Sequence, residues 1–379
     1  MADLVDEENA VSNNRKIRVL AINPGSTSTK IALFDDYDEL FRMTIRHSAD
    51  DLQGFGDIQD QLGYRAETVE KAVAGKGYAL EDIDVFSGRG GGMQPVEGGV
   101  YAVSDLLASH ASRGAAGQHP AQLAPQIAKQ FADRYGKLAF VVNPPDIDEF
   151  IDIARVTGIR GIYRESHVHA LNQKEIAKRF CESRGRSYKD ANLIICHLGG
   201  GISITAHEKG RMIDSNDIID GSGPMSPTRA GDLPYMKVIE LAYSGSFSQK
   251  DLIDKLNHRG GLLDHFGTTD TADILRRIDS GGGYAKAIID GMAYQCAKYV
   301  GAMAVALGGK VDAILITGGL ANNEYITGQM ASRIDWIAET VVMPGDYELE
   351  SLAAGAIRAM RGEEEIKTYT GVPIWNGFR

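Results

Sequence analysis

Residues 23–30 read Asn-Pro-Gly-Ser-Thr-Ser-Thr-Lys, turn formers and hydroxyls closed by one cation. Set between two apolar runs, they predict a hairpin whose backbone N–H groups and hydroxyls converge on one anion while Lys30 adds charge. Asn23, Ser26, Ser28 and Lys30 are the candidate phosphate ligands, an ordinary Ser- and Gly-rich turn being the alternative. Residues 197–203, His-Leu-Gly-Gly-Gly-Ile-Ser, follow another apolar run. Three successive glycines carry an entropic cost that packing does not explain and close approach of backbone to a ligand does. His197, Gly199, Gly200 and Gly201 therefore join the candidates. A third turn, residues 317–323, follows a short apolar run and precedes a helix, the arrangement in which strand ends of α/β sheets receive nucleotides. It nominates Gly318, Gly319 and Asn322, with an Asn-capped helix start as the plainer reading. Arg89 and Arg229 lie among small residues in loops, where a guanidinium has room to reach an anion, although loop arginines are commonly solvated surface residues.

The elements that would carry these turns follow from apolar periodicity. Residues 17–34 predict strand, turn and strand, with a third strand near 41–47, a helix over 58–73 and a strand at 83–86. Helices are expected at 121–135 and 148–156, with a strand at 137–143 between them. The plan then recurs: residues 192–214 again give an apolar strand, a glycine-rich turn and two more strands, and Gly25 and Gly199 stand 174 positions apart. That spacing, nearly half the chain, indicates an internal duplication of one folding unit. A long amphipathic helix over 284–307, a buried strand at 313–317 and a final helix at 349–360 complete a mixed α/β pattern. The chain lacks the G-x-x-x-x-G-K-[ST], G-x-G-x-x-G, H-E-x-x-H and G-x-S-x-G motifs, which disfavours the usual nucleotide folds and hydrolases.

At 379 residues the chain exceeds what one hydrophobic core usually spans, so two domains with a cleft between them are expected. Its 51 acidic and 40 basic side chains leave a formal charge of −11, which argues against nucleic-acid binding by bulk charge. The three cysteines, Cys181, Cys196 and Cys296, are too few and too scattered for a disulfide framework or a zinc set, and a reducing, cytoplasmic setting suits them. Residues 1–15 are polar and read as a disordered lead-in, and no apolar stretch is long enough to cross a bilayer.

Six segments, NPGSTSTK, SGRGGG, HALNQK, HLGGGIS, SPTRAGD and TGGLANN, occur in that order and resemble the acetokinase family of the sugar kinase, Hsp70 and actin superfamily, most closely its butyrate kinase branch. The resemblance spans residues 17–362. It implies two ribonuclease-H-like (actin-like ATPase) domains, residues 16–170 with 351–379 and residues 171–350, the second binding the nucleotide. ATP and Mg²⁺ would meet a short-chain fatty acid in the cleft, in a cytoplasmic homo-oligomer, a dimer or larger. Butyrate, with isobutyrate beside it, is the expected acid, and acetate or propionate is the alternative within the class.

A carboxylate is already ionised at pH 7, so phosphoryl transfer to it needs no general base. It needs positive or neutral donors that hold two anions in line. Arg89 is assigned to the substrate carboxylate and Arg229 to the transferring phosphoryl group, roles that overlap or exchange. The resemblance matches His169 to a histidine that stabilises that group. His119 in QHPAQL matches the family's other active-site histidine, with His110 as a rival. Glu350 matches the metal-linked glutamate, with Glu348 close by. Where the family has a metal-linked aspartate this chain has Asn143, so a water-mediated contact, or Asp146 or Asp148 in its place, is required, or else activity is weakened. Glycine at 200, where acetate kinases have asparagine, favours the butyrate branch. Two other readings compete: an ATP-driven conformational protein like actin or Hsp70, which would not need both arginines and His169, and a degenerate paralogue that binds ATP without transfer.

Overall fold

Apolar residues on both faces of the first run make it a covered central strand, β1 (Arg18–Pro24), which runs antiparallel to β2 (Ser28–Asp35). The alternating burial of β3 (Asp38–Arg46) marks an edge strand with one wet face. Beyond β1 lie β4 (Val85–Gly88), parallel to it, then β6 (Leu138–Val142), β5 (Val100–Ala102) and the short strand Ile366–Lys367. In the computed structural model, which describes residues 15–115 and 118–378, these strands form one sheet in the order Ile366–Lys367, β5, β6, β4, β1, β2, β3. The helices Leu62–Gly75 and Leu123–Tyr135 bury Ala66, Val69, Val73, Ile127 and Phe131 against Leu20, Ile22, Leu33 and Phe86. The Glu348–Met360 helix packs against β1, β4 and β6, and its Leu352 carbonyl accepts from the buried Ser87 hydroxyl.

The second unit repeats the plan. β7 (Asn192–Leu198), β8 (Ile202–Glu208) and β9 (Arg211–Ser215) form an antiparallel meander, and β10 (Ala313–Thr317) and β11 (Glu339–Val342) add in parallel, giving the order β11, β10, β7, β8, β9. The first unit contains the same succession, β6, β4, β1, β2, β3, so the duplication expected from a 174-residue spacing is present strand for strand. One face carries the helix Ala170–Ser183, whose Ile176, Phe180 and Cys181 meet Leu193, Ile195 and Leu315. The other carries the long helix Gly283–Ala306.

By contacts the first unit is Met1–Asp146 with Glu348–Arg379 and the second is Ile147–Tyr347. The sequence reading placed these boundaries at 170 and 350. Residues 147–170 fall with the second unit because Ile147, Val168 and Ala170 cluster with Met212, and because Lys174 donates to both oxygens of the buried Glu149. The helix expected over 148–156 is reduced to one turn, Asp152–Arg155. Asp148 holds Arg155 through two hydrogen bonds, and the Ile151 N–H donates to Ile213, so the segment satisfies its polar groups outside a helix. The lead-in expected over residues 1–15 lies outside the described residues apart from Arg15, which pairs with Asp84. Among the described residues, no helix is long and apolar enough to cross a membrane.

Candidate active site

In the first unit the β1–β2 turn is gripped from behind by Arg65, a fully buried side chain of the Leu62–Gly75 helix. Its guanidinium donates to the carbonyls of Gly25 and Ser28, to Thr29 Oγ1 and to the Ser26 carbonyl, all within 2.9–3.2 Å. Burial pulls its pKa down, and the guanidinium stays charged because its reference value is so high. Arg65 was not anticipated, since an arginine at a helical position gives no sign that it turns inward. Ser26 is exposed on the turn and Ser28 is half-buried.

Glu348, at the start of the Glu348–Met360 helix, gathers the other residues. Asn23 Nδ2 donates to its Oε2 at 2.7 Å, Arg89 Nη1 meets Oε1 at 2.6 Å, and Lys30 Nζ lies 4.0 Å from Oε2. Glu350 is turned elsewhere and pairs with Arg42 of β3. Of the two neighbouring glutamates, Glu348 is the one beside Asn23, Lys30 and Arg89, because adjacent even-numbered helix positions point about 200° apart. His119 belongs with this group. Its Nδ1 accepts from the Ala121 N–H at 3.1 Å, so the neutral ring carries its proton on Nε2. Desolvation, followed by the Arg89 cation, holds its pKa below the ordinary histidine value. The rival His110 is tied to Tyr369 through Nδ1.

Asn143 ends β6 in a left-handed conformation (φ 41°) that asparagine tolerates, and its Oδ1 accepts from the Gly99 N–H at 2.9 Å. The substitutes weighed for it are also engaged: Asp148 by Arg155, and Asp146 Oδ1 by the Met93 N–H. Among the described residues, the His, Cys, Asp and Glu side chains that converge as three are His167, Asp217 and Asp220. None of these was nominated as a ligand, and Asp217 Oδ1 already accepts from the Ile219 and Asp220 N–H groups.

In the second unit the β7–β8 turn is held from in front. The Ser226 and Thr228 hydroxyls donate to the Gly200 carbonyl, and Arg229 lies directly on Gly201, where a Cβ would stand 1.9 Å from its Nη1. Gly199 is constrained less tightly, a Cβ there standing 2.9 Å from His197 Nε2, whereas a Cβ at Gly200 would meet nothing within 4 Å. A side chain at two of the three glycines would thus displace Arg229 or His197, and the third leaves open space. Arg229 makes no ion pair among the described residues, its Nε is buried without a partner, and burial pulls its pKa down. His169, which precedes the Ala170–Ser183 helix, stacks on His197 with ring centroids 3.9 Å apart. Gly318 stands at the end of β10 with φ 90°, and a Cβ there would stand 2.4 Å from the Leu198 carbonyl oxygen. Gly319 begins a single 3₁₀ turn and Asn322 Nδ2 donates back to the Gly319 carbonyl, while the cap of the following helix, Glu324–Ile334, is Asn323, whose Oδ1 accepts from the Ile326 N–H.

Over 93% of its length the chain is 39% identical to butyrate kinase 2 of Clostridium acetobutylicum, covering 99% of that protein. The chain belongs to the acetokinase family. The model of that family, described as the acetokinase family, matches residues 155–335. Among solved structures the chain resembles the acetate kinase of Porphyromonas gingivalis (18% identity, TM-score 0.74, covering 91% of this chain and 100% of that one). It also resembles a propionate kinase of Francisella tularensis (18% identity, TM-score 0.71, 89% and 98% covered). At that identity the likeness concerns the fold, two similar actin-like ATPase domains.

A cavity of about 580 Å³ opens beside Arg229 in this protein, walled by Ile202, Ile219, Leu233, Ile239 and Ile253. Those residues come from separate strands, loops and helices, and no local pattern joins them in the sequence.

Proposed function

We propose that this member of the acetokinase family transfers the terminal phosphoryl group of ATP directly and reversibly to a short-chain carboxylic acid, butyrate with isobutyrate beside it, giving the acyl phosphate and ADP in the cytoplasm. The observation that carries the reading is Arg229: a partly buried guanidinium that makes no ion pair among the described residues, seated on Gly201 in the unit that also stacks His169 on His197. Such a cation needs an anion, and a phosphoryl group in transit is one.

Arg229 binds the oxygens of the transferring group as a fork, and His169 donates to the same charge from a neutral ring. Arg89 takes the substrate carboxylate, whose ionised oxygen attacks without a base. His119 adds a neutral donor. Ser26, Ser28 and Lys30 of the β1–β2 turn, and the amides of Gly200 and Gly201 with His197, supply the phosphate contacts, the Gly199 N–H being closed on the Gly201 carbonyl, and Gly318 and Gly319 are assigned to the nucleotide. Mg²⁺ commonly keeps one or two protein carboxylates beside substrate phosphates, and Glu348, which lies beside Asn23, Lys30 and Arg89, would offer one. Glu350 pairs with Arg42 through one oxygen and keeps the other buried without a partner, and Asn143 is held by Gly99. The metal, when bound, neutralises charge on the phosphates.

The cavity beside Arg229 has aliphatic walls that suit an alkyl tail longer than a methyl group. Each methylene buried there is worth roughly 1–3 kcal/mol, so neighbouring acids overlap as substrates. The test is a hydroxamate assay with ATP and straight and branched acids from two to six carbons. Turnover should peak near four carbons. Negligible turnover of every acid, or ATP hydrolysis indifferent to added acid, rejects the reading. The assembly is proposed to be a homodimer or larger, to be checked by sedimentation.

A further inference from the structure

His169 does not stand alone: a chain of buried hydrogen bonds leads to its ring. Tyr188 OH lies 2.6 Å from His207 Nδ1, and His207 Nε2 lies 3.1 Å from Gln173 Oε1. Gln173 Nε2 donates to Ser203 Oγ at 2.8 Å and to the Ser203 carbonyl at 3.2 Å. Ser203 Oγ lies 2.8 Å from His169 Nδ1 and also accepts from the His169 N–H at 3.4 Å. Gln173, Ser203 and His207 are fully buried, and Tyr188 nearly so.

Each link has one consistent direction. Tyr188 sits in a site that opposes ionisation, so it donates to His207 Nδ1. Desolvation and the nearby Lys174 cation keep His207 neutral, so its proton is on Nε2 and goes to Gln173 Oε1. That fixes the Gln173 amide with its nitrogen towards Ser203. Ser203 Oγ, accepting from Gln173 and from the His169 N–H, has its own proton left to give to His169 Nδ1. The neighbouring residue does the same for the other ring. Asn172 Oδ1 accepts from the Tyr347 N–H, which turns its Nδ2 to donate to His197 Nδ1 at 2.8 Å.

We infer that Gln173, Ser203 and His207, with Asn172 for the second ring, are positioning residues that lock the stacked His169 and His197 in the tautomer carrying the proton on Nε2. Both imidazoles are thereby neutral donors. The inference deepens the proposed kinase reading and rests on it for its consequence: a phosphoryl group meets two N–H donors whose orientation needs no reorganisation during transfer.

The first test is spectroscopic and independent of activity. Long-range proton–nitrogen correlation spectra of the intact enzyme, labelled on its histidines and assigned with His169→Gln and His197→Gln, should give a protonated Nε2 and a bare Nδ1 for both residues. A proton on Nδ1 of His169 overturns the inference even if the enzyme is an active kinase. Absent kinase activity with the expected spectra would instead remove the functional reading and leave the relay. The second test is kinetic. Ser203→Ala should lower kcat about 10- to 100-fold with KM for ATP and acid within about twofold, and Ser203→Thr, which keeps the hydroxyl, should recover most of it. Gln173→Leu should lower kcat similarly and mix the His169 tautomers. Full kcat in Ser203→Ala, or an unaltered His169 tautomer in a slowed Gln173→Leu, sinks the proposal.

Discussion

The first hairpin turns through four residues between the paired Pro24 and Thr29, and the second through three between Leu198 and Ile202. Asn23 and His197 occupy the same place, 174 positions apart, at the ends of β1 and β7. Across the strand pair Asn23 faces Lys30, whereas His197 faces Ser203. In each unit these residues meet the first turn of the helix covering that side of the sheet. In the first the contact is ionic, with Glu348 holding Asn23 and Arg89 with Lys30 at its edge. In the second it is neutral, with Asn172 holding His197, and Gln173 holding Ser203. One duplicated frame has therefore been fitted with charge at one copy and with oriented neutral donors at the other. A polar side chain can be exchanged there without altering strand order, because the sheet and its apolar helix faces, not the turn, carry the fold.

The largest loss is expected at Arg229, which rests on the second loop from outside it. Arg229→Ala should cost roughly 10³-fold in kcat/KM for acyl phosphate formation, and Arg229→Lys should restore only part, since an ammonium cannot form the planar fork. Next come the glycines. Gly201→Ala places a Cβ 1.9 Å from Arg229 Nη1 and should lower kcat about 10²-fold, whereas Gly25→Ala meets only ordinary contacts and should stay within about twofold. Arg65→Met removes the guanidinium that holds the first loop's carbonyls. Thermal unfolding should report a loss of about 1–3 kcal/mol, with a raised KM for ATP.

A smaller effect separates the two glutamates. Glu348→Gln should lower kcat about tenfold and change its Mg²⁺ dependence, and Glu350→Gln should leave both within about twofold. Equal effects would undo the ionic half of the comparison.

The smallest effect is a pH dependence of opposite sign in the two units. In the second, His167 is partly desolvated, but the Asp217 carboxylate outweighs this and raises its pKa, so its contribution is complete below about pH 6.5 and is lost as pH rises through the folded value. Asp217→Asn should therefore lower the melting temperature more at pH 6 than at pH 8. In the first, the lowered pKa of His119 makes protonation unfavourable to the fold, so stability falls as pH drops through the unfolded value, and His119→Asn should gain on the native protein towards acid.

Most strands, both glycine turns, the duplication and the membership of Arg89, His119, His169 and Arg229 in loops or helix starts were legible because each shows in local patterns, whereas the short strands Val100–Ala102, Glu339–Val342 and Ile366–Lys367 and the order of strands in each sheet were not. Apolar periodicity and turn chemistry act over a few neighbouring positions. Which glutamate faces Asn23, why a Cβ at Gly201 would displace Arg229, and how Gln173 orients a histidine were settled elsewhere, by strands and helices that bring distant positions together, as they bring Asn23 to Glu348 across 325 positions. Arg65 and Asn143 show the same limit: one turns inward and the other closes on Gly99, although their neighbours in the chain predict neither. Local sequence determines what each segment becomes, but the partner of a buried polar group is whatever the packed sheet sets within three ångströms of it, and that distance exists only after folding.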